Sequence, residues 1–374
     1  MKPIVSVVIP CHNAEKHLVE TLNSVIRQSF EQIEVLCVDN GSTDNTLNIL
    51  NEYADKDSRF RVLIEASIGE GFARDRGRAE AHGEWLYFLD ADDLMDKNLL
   101  KEAVNKGTAS NSDIVVFKTR YLDDQSGEIR PCPECFDIDW INTWESPMVF
   151  SPYDNPSRLF NSFQNWVHNK LFKASFIKSK GLSFQHIHRM ADIVFTCEAL
   201  AFANKVALLN QELHTYRVNN PQSALCTGDS FPLDFYEAFL KLKEDLLKAG
   251  LFDLYSTSFR NWAEEAVAMN LYRTRSFEGF RAIFEAMSSN GIETLEIDKL
   301  KGDEVFNQIR HECCLSIMNG DIAQTAFLYF FLEKRRLGEV ETELSRVRDS
   351  TSYKLGRKII APLGLVRDFI IRRI

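Results

Sequence analysis

Short apolar runs alternate between residues 4 and 117 with segments whose apolar positions recur every three or four residues. Runs of this length are too short for helices and predict buried strands. The recurrence of apolar residues every three or four positions in the segments between the runs predicts amphipathic helices. Alternation of strand and helix is typical of a doubly wound, mostly parallel α/β sheet. The runs interpreted as strands are Ile4–Ile9, Ile33–Val38, Arg61–Ile64, Trp85–Leu89 and Ile114–Phe117.

The pattern changes twice further along the chain. Residues from about 234 to 336 are mostly helical in pattern, and a shorter segment of different character follows. We therefore expect an α/β domain over residues 1–228, made of halves 1–118 and 119–228, then a helical region over 229–336. Residues 337–374 are predicted to form an amphipathic tail.

Two segments of this tail differ in pattern. Residues 337–348 form a short heptad-like seam, which would allow a homodimer through a coiled coil. Residues 353–374 alternate apolar positions with six basic side chains and one acidic side chain. This pattern is typical of a helix lying on an anionic membrane surface. It would also suit a helix that docks on the main domain or on a partner subunit.

Composition narrows the class of protein. The 374 residues are 45% hydrophobic and 26% charged, with a formal net charge of −10, which excludes a general nucleic-acid binder. No stretch has the apolar length of a transmembrane helix, and only Lys2 precedes the first strand as a charged residue, unlike a signal peptide. The expected location is the cytoplasm, with the tail on the inner face of the cell membrane.

Polar side chains follow three of the predicted strands, within Pro10–Asn13, Asp39–Gly41 and Asp90–Asp93. Because the carboxyl ends of parallel strands share one edge, these residues are expected to line one crevice. Asp90 and Asp92 together suit a hard divalent cation, Mn²⁺ or Mg²⁺, which would hold a diphosphate.

Three further side chains could complete a nucleotide site at this crevice. Asp39 could accept a base N–H, His12 could stack on a ring, and Arg74 could pair with phosphate. Each also has an ordinary explanation, as a turn aspartate, a loop histidine and a solvated helix residue. A dinucleotide fingerprint fails at Gly69–Arg74, which lacks a third glycine and does not follow the first strand, and no P-loop is present.

Four segments in order resemble family 2 glycosyltransferases of the GT-A fold, namely Val5–Asn13, Val38–Asp44, Ala73–Gly77 and Phe88–Asp93. The resemblance implies that Asp39 reads the uracil of a UDP-sugar, that Asp90 lies near the ribose, and that Asp92 coordinates the metal. The chain departs from the family at His12, where Tyr is usual, and at Ser67 and Asp75, where Asn is usual. The implied donor site comprises Pro10, His12, Asn13, Asp39, Gly41, Arg74, Asp90, Ala91 and Asp92.

The segments 166–172 and 190–195 are similar to the acceptor half of the same family. The resemblance implies acceptor binding by Trp166, Asn169 and Lys170, and marks Asp192 as the general base. Ala191 replaces the first acid of the family's acidic pair. Asp192 could alternatively cap the helix predicted over 193–203.

Together these features imply inverting, metal-assisted transfer from a UDP-sugar to a glycan or lipid-linked glycan of a bacterial surface polymer. Single displacement needs one base and no protein nucleophile. Two alternatives remain open: a sugar-nucleotide nucleotidylyltransferase, which would need a Gly-rich basic loop after the first strand, and a non-catalytic nucleotide-sugar-binding scaffold.

Overall fold

The computed structural model describes residues 2–136, 141, 148–220 and 229–329. They divide between two compact units, Met1–Met318 and Asn319–Ile374. In the second unit the described residues are 319–329, of which 322–329 are helical. The predicted domain boundaries after residues 228 and 336 fall outside the described residues and stay predictions. The predicted seam at 337–348 and the predicted membrane helix at 353–374 fall outside them as well.

The first unit is built on one mixed sheet of ten strands. The order along the sheet is β3-β2-β1-β4-β9-β6-β10-β5, with β7 beside β6 and β8 beside β10. The strands are β1 Val5–Cys11, β2 Ile33–Asp39, β3 Phe60–Ile64, β4 Trp85–Phe88, β5 Leu94–Met95, β6 Ile114–Asp123, β7 Ile129–Pro131, β8 Val149–Phe150, β9 Lys170–Lys173 and β10 Val206–Val218.

Helices connect the strands and extend the chain beyond the sheet. They are α1 Leu18–Ile26, α2 Thr46–Lys56, α3 Glu70–Ala79, α4 Leu99–Ser110, α5 Ala174–Lys180, α6 Asp192–Phe202, α7 Asp234–Lys248, α8 Phe252–Arg273, α9 Phe277–Ala286, α10 Ile292–Thr294 and α11 Gln308–Met318. Short 3-10 turns cover Pro133–Cys135, Pro152–Asp154, Pro156–Asn161, Ile297–Lys299 and Gly302–Glu304, and a π-turn covers Met287–Gly291.

Helices cover both faces of the sheet, so its central strands are apolar on both sides. On one face Val7 and Ile9 pack with Leu22 of α1 and Leu99 of α4. On the other face, α3 lies so close to β1 that a Cβ on Gly77 would sit 2.3 Å from Val8 Cγ1. These contacts remove the strands β1, β2 and β4 almost completely from water, as the apolar runs predict.

One central strand runs against its neighbours. Strands β1, β2, β3 and β4 are parallel, but β9 pairs antiparallel with both β4 and β6. Strand β10 is then parallel to β6. As a result, one edge of the sheet combines the amino end of β9 with the carboxyl ends of β1, β2, β4, β6 and β10.

The helical residues after 229 pack on this α/β core within the first unit. Tyr255 of α8 donates a hydrogen bond to the Ala201 carbonyl of α6 at 3.2 Å, and Ser258 accepts from the Phe160 amide at 2.7 Å. Among the described residues, no helix combines the length and apolar character needed to cross a bilayer.

Candidate active site

The structure brings the three predicted strand-end segments to one edge of the sheet. Cys11 pairs with Asp39 across β1 and β2, and Val8 pairs with Phe88 across β1 and β4. The turn after β1 is tied to the turn after β2, because Asn13 Oδ1 accepts the Thr43 amide at 2.8 Å. The hydroxyl of Thr21 on α1 donates to the Ala91 carbonyl at 2.9 Å and so fixes the turn after β4.

Asp39 lies at the end of β2 with 4% of its surface exposed. Its Oδ1 is buried and has no hydrogen-bond partner among the described residues. A buried carboxylate oxygen without a partner is costly, so an atom of this kind suits a ligand that donates a hydrogen bond. The predicted partner, a base N–H, is of that chemical type.

Two residues of the predicted donor site shape the same end of the crevice. The His12 ring is held by a 2.8 Å hydrogen bond between Nδ1 and the Asn40 carbonyl. Gly41 has φ 72°, and a Cβ there would sit 2.6 Å from Ile68 Cδ1, so only glycine fits this turn without strain. Pro10 lies within β1, paired with Val38.

Arg74 of α3 is 3% exposed and bridges two acids. Its Nη2 donates to Asp90 Oδ1 at 2.7 Å, and its Nη1 lies 3.0 Å from Glu70 Oε2. Burial acts to raise the pKa of Asp90, but Arg74 and His168 outweigh it and hold that pKa well below its usual range. Arg74 therefore keeps Asp90 ionised, while its Nε and Nη1 atoms are buried without a hydrogen-bond partner among the described residues.

Asp92 is held differently from Asp90. Its Oδ2 accepts from Asn220 Nδ2 at 3.0 Å, and its carbonyl accepts from Arg217 Nε at 2.8 Å. Burial and the nearby charge of Asp90 raise the pKa of Asp92. Two carboxylates that repel each other in a partly enclosed site suit a divalent cation, which favours oxygen ligands and would offset the repulsion.

Asp93 belongs to the buried core beneath this site. Its Oδ2 lies 2.9 Å from His214 Nε2, and its Oδ1 accepts the Arg217 amide at 2.8 Å. The other His214 nitrogen, Nδ1, is 2.8 Å from the Tyr87 hydroxyl. Asp93, His168 and His214 are close enough to form a metal cluster. Because both nitrogens of His214 are engaged by protein groups, we interpret this cluster as a hydrogen-bonded support.

The reversed strand β9 delivers His168 to the same edge. Its ring stacks on His214 at 4.2 Å between centroids, and Nδ1 lies 3.5 Å from Asp90 Oδ2. Trp166, which is half-buried, lies beside His168 and Tyr216. Trp166 is thus placed at the rim of the crevice, with part of its indole exposed.

Asn169 and Lys170 are fully buried, which leaves no surface for direct contact with an acceptor. The Lys170 ammonium donates to the Gln164 and Trp166 carbonyls and to Asn169 Oδ1, at 2.7, 2.8 and 2.7 Å. These bonds hold the segment that carries Trp166 and His168. Burial lowers the pKa of Lys170 to about 7.

Asp192 is the first residue of α6, and Ala191 occupies the N-cap position without a side-chain cap. The alternative in which Asp192 caps this helix is therefore wrong. Burial raises the pKa of Asp192, Asp90 adds to the effect, and Arg74 and His168 oppose it. These charges place Asp192 within electrostatic reach of the Arg74–Asp90 pair.

Sequence patterns missed several residues at this edge. Glu70 and Asn220 sit in segments without a recognisable motif, and His168 was passed over between Trp166 and Asn169. His214 carried no local signal either, because it lies between Leu213 and Thr215 in a segment of mixed polarity. Glu198, the next acid to consider as a base after Asp192, instead lines a separate cavity with Lys241 and Asp245.

Comparison with known proteins places this geometry in a family. Residues 6–179 match the family model for glycosyl transferase family 2. Residues 6–179 therefore form a glycosyl transferase family 2 domain. The match covers β1 through most of α5 and includes every strand end that forms the donor side of the crevice.

Relatives of this chain act in bacteria. It is 27% identical over 254 residues to the poly(ribitol-phosphate) beta-N-acetylglucosaminyltransferase TarS of Staphylococcus aureus, covering 66% of this chain and 41% of TarS. It is 30% identical over 257 residues to the poly(ribitol-phosphate) beta-glucosyltransferase of Bacillus spizizenii, covering 66% of this chain and 36% of that protein. The chain thus spans about two fifths of the length of these relatives.

The solved structure of S. aureus TarS 1–349 in complex with UDP-GlcNAc superposes with a TM-score of 0.66 at 22% identity. The superposition covers 89% of this chain and 92% of that one. This likeness confirms the predicted GT-A-type fold followed by a helical region.

Proposed function

We propose that the chain is a glycosyltransferase that moves a sugar from a UDP-sugar to a hydroxyl group of a bacterial surface glycan or lipid-linked glycan. The observation that carries the proposal is the arrangement of Asp39, Asp92 and Asp192 around one sheet edge of a family 2 domain. Each acid has a different environment, and the three environments suit three different tasks.

The nucleotide end of the proposed site is the turn region after β1 and β2. The unpartnered Asp39 Oδ1 is the acceptor proposed for the uracil N–H. The His12 ring, fixed by Asn40, offers a flat surface for the base. Structures of TarS are known with UDP and with UDP-GlcNAc, which supports a uridine nucleotide as the first ligand to test.

Asp92 and Asp90 are proposed to hold Mn²⁺ or Mg²⁺. When bound, such a cation stabilises the negative charge of the departing diphosphate. Two contacts described above support this proposal: Arg74 keeps Asp90 ionised, and Asn220 donates a hydrogen bond to the Asp92 carboxylate.

Asp192 is proposed to remove the proton from the acceptor hydroxyl as that oxygen attacks the anomeric carbon. A raised pKa brings a carboxylate closer to the range in which it accepts a proton usefully. The attack and the departure of UDP then occur on opposite faces of the sugar, which inverts the anomeric configuration. Trp166 at the rim is the proposed platform for the acceptor.

The acceptor class is supported by the names of two relatives that act on poly(ribitol-phosphate). Attachment to an anionic membrane surface through residues 353–374 and a homodimer through 337–348 remain proposals from sequence. Membrane attachment would bring the catalytic unit close to membrane-linked acceptors on the cytoplasmic side.

The decisive experiment is a turnover assay with a panel of UDP-sugars, including UDP-GlcNAc and UDP-glucose, with and without poly(ribitol phosphate). We expect metal-dependent release of UDP that increases with a suitable acceptor and yields a glycosylated product. Binding of UDP-sugars without turnover in any condition would instead support the non-catalytic scaffold.

A further inference from the structure

Glu70 is an acid of the crevice that the proposed mechanism does not use. It is the first residue of α3, and its carboxylate lies 3.0 Å from Arg74 Nη1. The same guanidinium binds Asp90 at 2.7 Å, so Glu70 and Asp90 are held on two sides of one cation. The side chain of Glu70 is nevertheless 45% exposed, whereas that of Arg74 is 3% exposed.

The first turn of α3 lies against the segment that leads into Asp192. A Cβ on Gly71 would sit 2.2 Å from the Gln185 carbonyl oxygen and 3.4 Å from Ala191 Cβ. Glu70 therefore lies on the turn of α3 that packs beside the start of α6, and Arg74 connects it to Asp90. Only glycine at 71 and a small residue at 191 permit this close approach.

The charges around Glu70 support the same placement. Although the Glu70 side chain is partly exposed, desolvation by the surrounding protein raises its pKa, Arg74 opposes that effect, and Asp90, Asp192 and Asp92 add to it. Glu70 thus shares an electrostatic environment with the three aspartates to which roles have been given. The Glu70 carboxylate is paired with a buried arginine and is still open to solvent, so it is available to a ligand that donates a hydrogen bond.

We propose that Glu70 is an acceptor-binding residue, whose carboxylate accepts a hydrogen bond from a hydroxyl group of a polyhydroxylated acceptor beside Asp192. The proposal rests on the glycosyltransferase function proposed above and deepens it. A second fixed carboxylate next to the base would position the neighbouring hydroxyl of a sugar or polyol and so select the oxygen that reaches Asp192. Arg74 links this acceptor contact to the donor side through Asp90.

The test compares Glu70→Gln and Glu70→Asp with the unchanged protein and with Glu52→Gln. Glu52 is an exposed acid on α2 that pairs with Lys56 in the same i,i+4 arrangement, so it controls for loss of a helix-surface carboxylate. The probes are the UDP-sugar of the panel that turns over fastest and poly(ribitol phosphate). Initial rates give KM for donor and acceptor, and release of UDP without acceptor gives the hydrolysis rate.

We expect Glu70→Gln to raise the acceptor KM by about tenfold, as expected for weakening one charge-assisted hydrogen bond. Donor KM and the rate of acceptor-free hydrolysis should stay within twofold of the unchanged protein. The acceptor KM of Glu70→Asp should lie between those of the unchanged protein and Glu70→Gln. A parallel fall of hydrolysis and transfer would overturn the inference, because Glu70 would then act on the donor through Arg74. Unchanged acceptor kinetics would also overturn it. No turnover by the unchanged protein would remove the proposed function itself.

Discussion

The rings of His168 and His214 lie stacked 4.2 Å apart with 13° between their planes. His168 faces Asp90 in the crevice, while His214 joins Asp93 to Tyr87 in the core. The stack is therefore the contact through which a fully buried polar network supports an active-site carboxylate. Burial lowers the pKa of His214, and the charges of His168 and Arg120 lower it further, which favours the neutral ring.

This network predicts a large stability effect at His214. His214→Leu should lower the free energy of unfolding by about 3 kcal/mol or more, because it removes the hydrogen-bond partner of the buried Asp93 Oδ2 atom and of the Tyr87 hydroxyl. Chemical denaturation monitored by circular dichroism measures the change. His82→Leu, at an exposed histidine, is the control and should shift stability by only about 0.5 kcal/mol. Equal effects of the two substitutions would contradict the structural role of the network.

Asp92 is expected to be essential for metal-assisted transfer. Asp92→Asn should abolish transfer, and EDTA should do the same to the unchanged protein, because both remove the divalent cation that would stabilise the leaving diphosphate. Asp55→Asn, at an exposed position on α2, should leave the rate unchanged. Full activity in EDTA would rule out the metal, provided that added Mn²⁺ does not increase the rate.

Asp192 is expected to limit the reaction at acidic pH. A base works only when it is deprotonated, and burial raises the pKa of Asp192. Transfer should therefore decline, as the pH falls, at a higher pH than for an ordinary aspartate. Asp192→Asn should lose transfer by a factor of about 10² or more while UDP still binds, because proton removal is lost but donor contacts remain. A pH–rate profile that stays flat down to about pH 4 would place the base elsewhere.

Because Lys170 is buried, we expect a separate effect of pH on the free energy of unfolding. Burial lowers its pKa to about 7 in the folded protein, whereas an unfolded chain has a lysine pKa of about 10.4. Between these values the unfolded chain binds more protons, so the free energy of unfolding should rise with pH from about 7 upward. Compared with Lys170→Met, the unchanged protein should gain stability between about pH 7 and 9 in denaturant titrations. Parallel curves for the two proteins would contradict the prediction.

We expect residues 353–374 to bind an anionic membrane surface. Basic residues near an anionic surface contribute on the order of 1 kcal/mol each, and salt screens them. Ending the chain after Ser352 should release the protein from anionic liposomes and leave donor hydrolysis largely intact, as measured by co-sedimentation and UDP release. Equal binding by both proteins would exclude a membrane role. Loss of solubility on truncation would favour a docking helix.

The donor side was predictable from sequence because each of its strands is a short apolar run that ends in polar residues. Strands β1, β2 and β4 accordingly lie within one or two residues of the predicted runs. Strand β9 gave no such signal, since two of its four residues are lysines. Lys170 tolerates burial only because carbonyl oxygens from residues 164 and 166 surround it in the folded chain. The pairing of Arg74 with Asp90 likewise joins residues that no local pattern connects, whereas Glu70 and Arg74 have the ordinary i,i+4 spacing of a helix.

The direction of β9 has a consequence for how such enzymes diversify. Its register with β4 and β6 is fixed by pairs such as Tyr87↔Leu171 and Val115↔Leu171. The number of residues between β6 and β9 does not affect those pairs. A change in the length of the connection that leaves these pairs intact would therefore leave His168 beside Asp90. The same sheet edge can thus carry connections of different length while the proposed donor site stays unaltered.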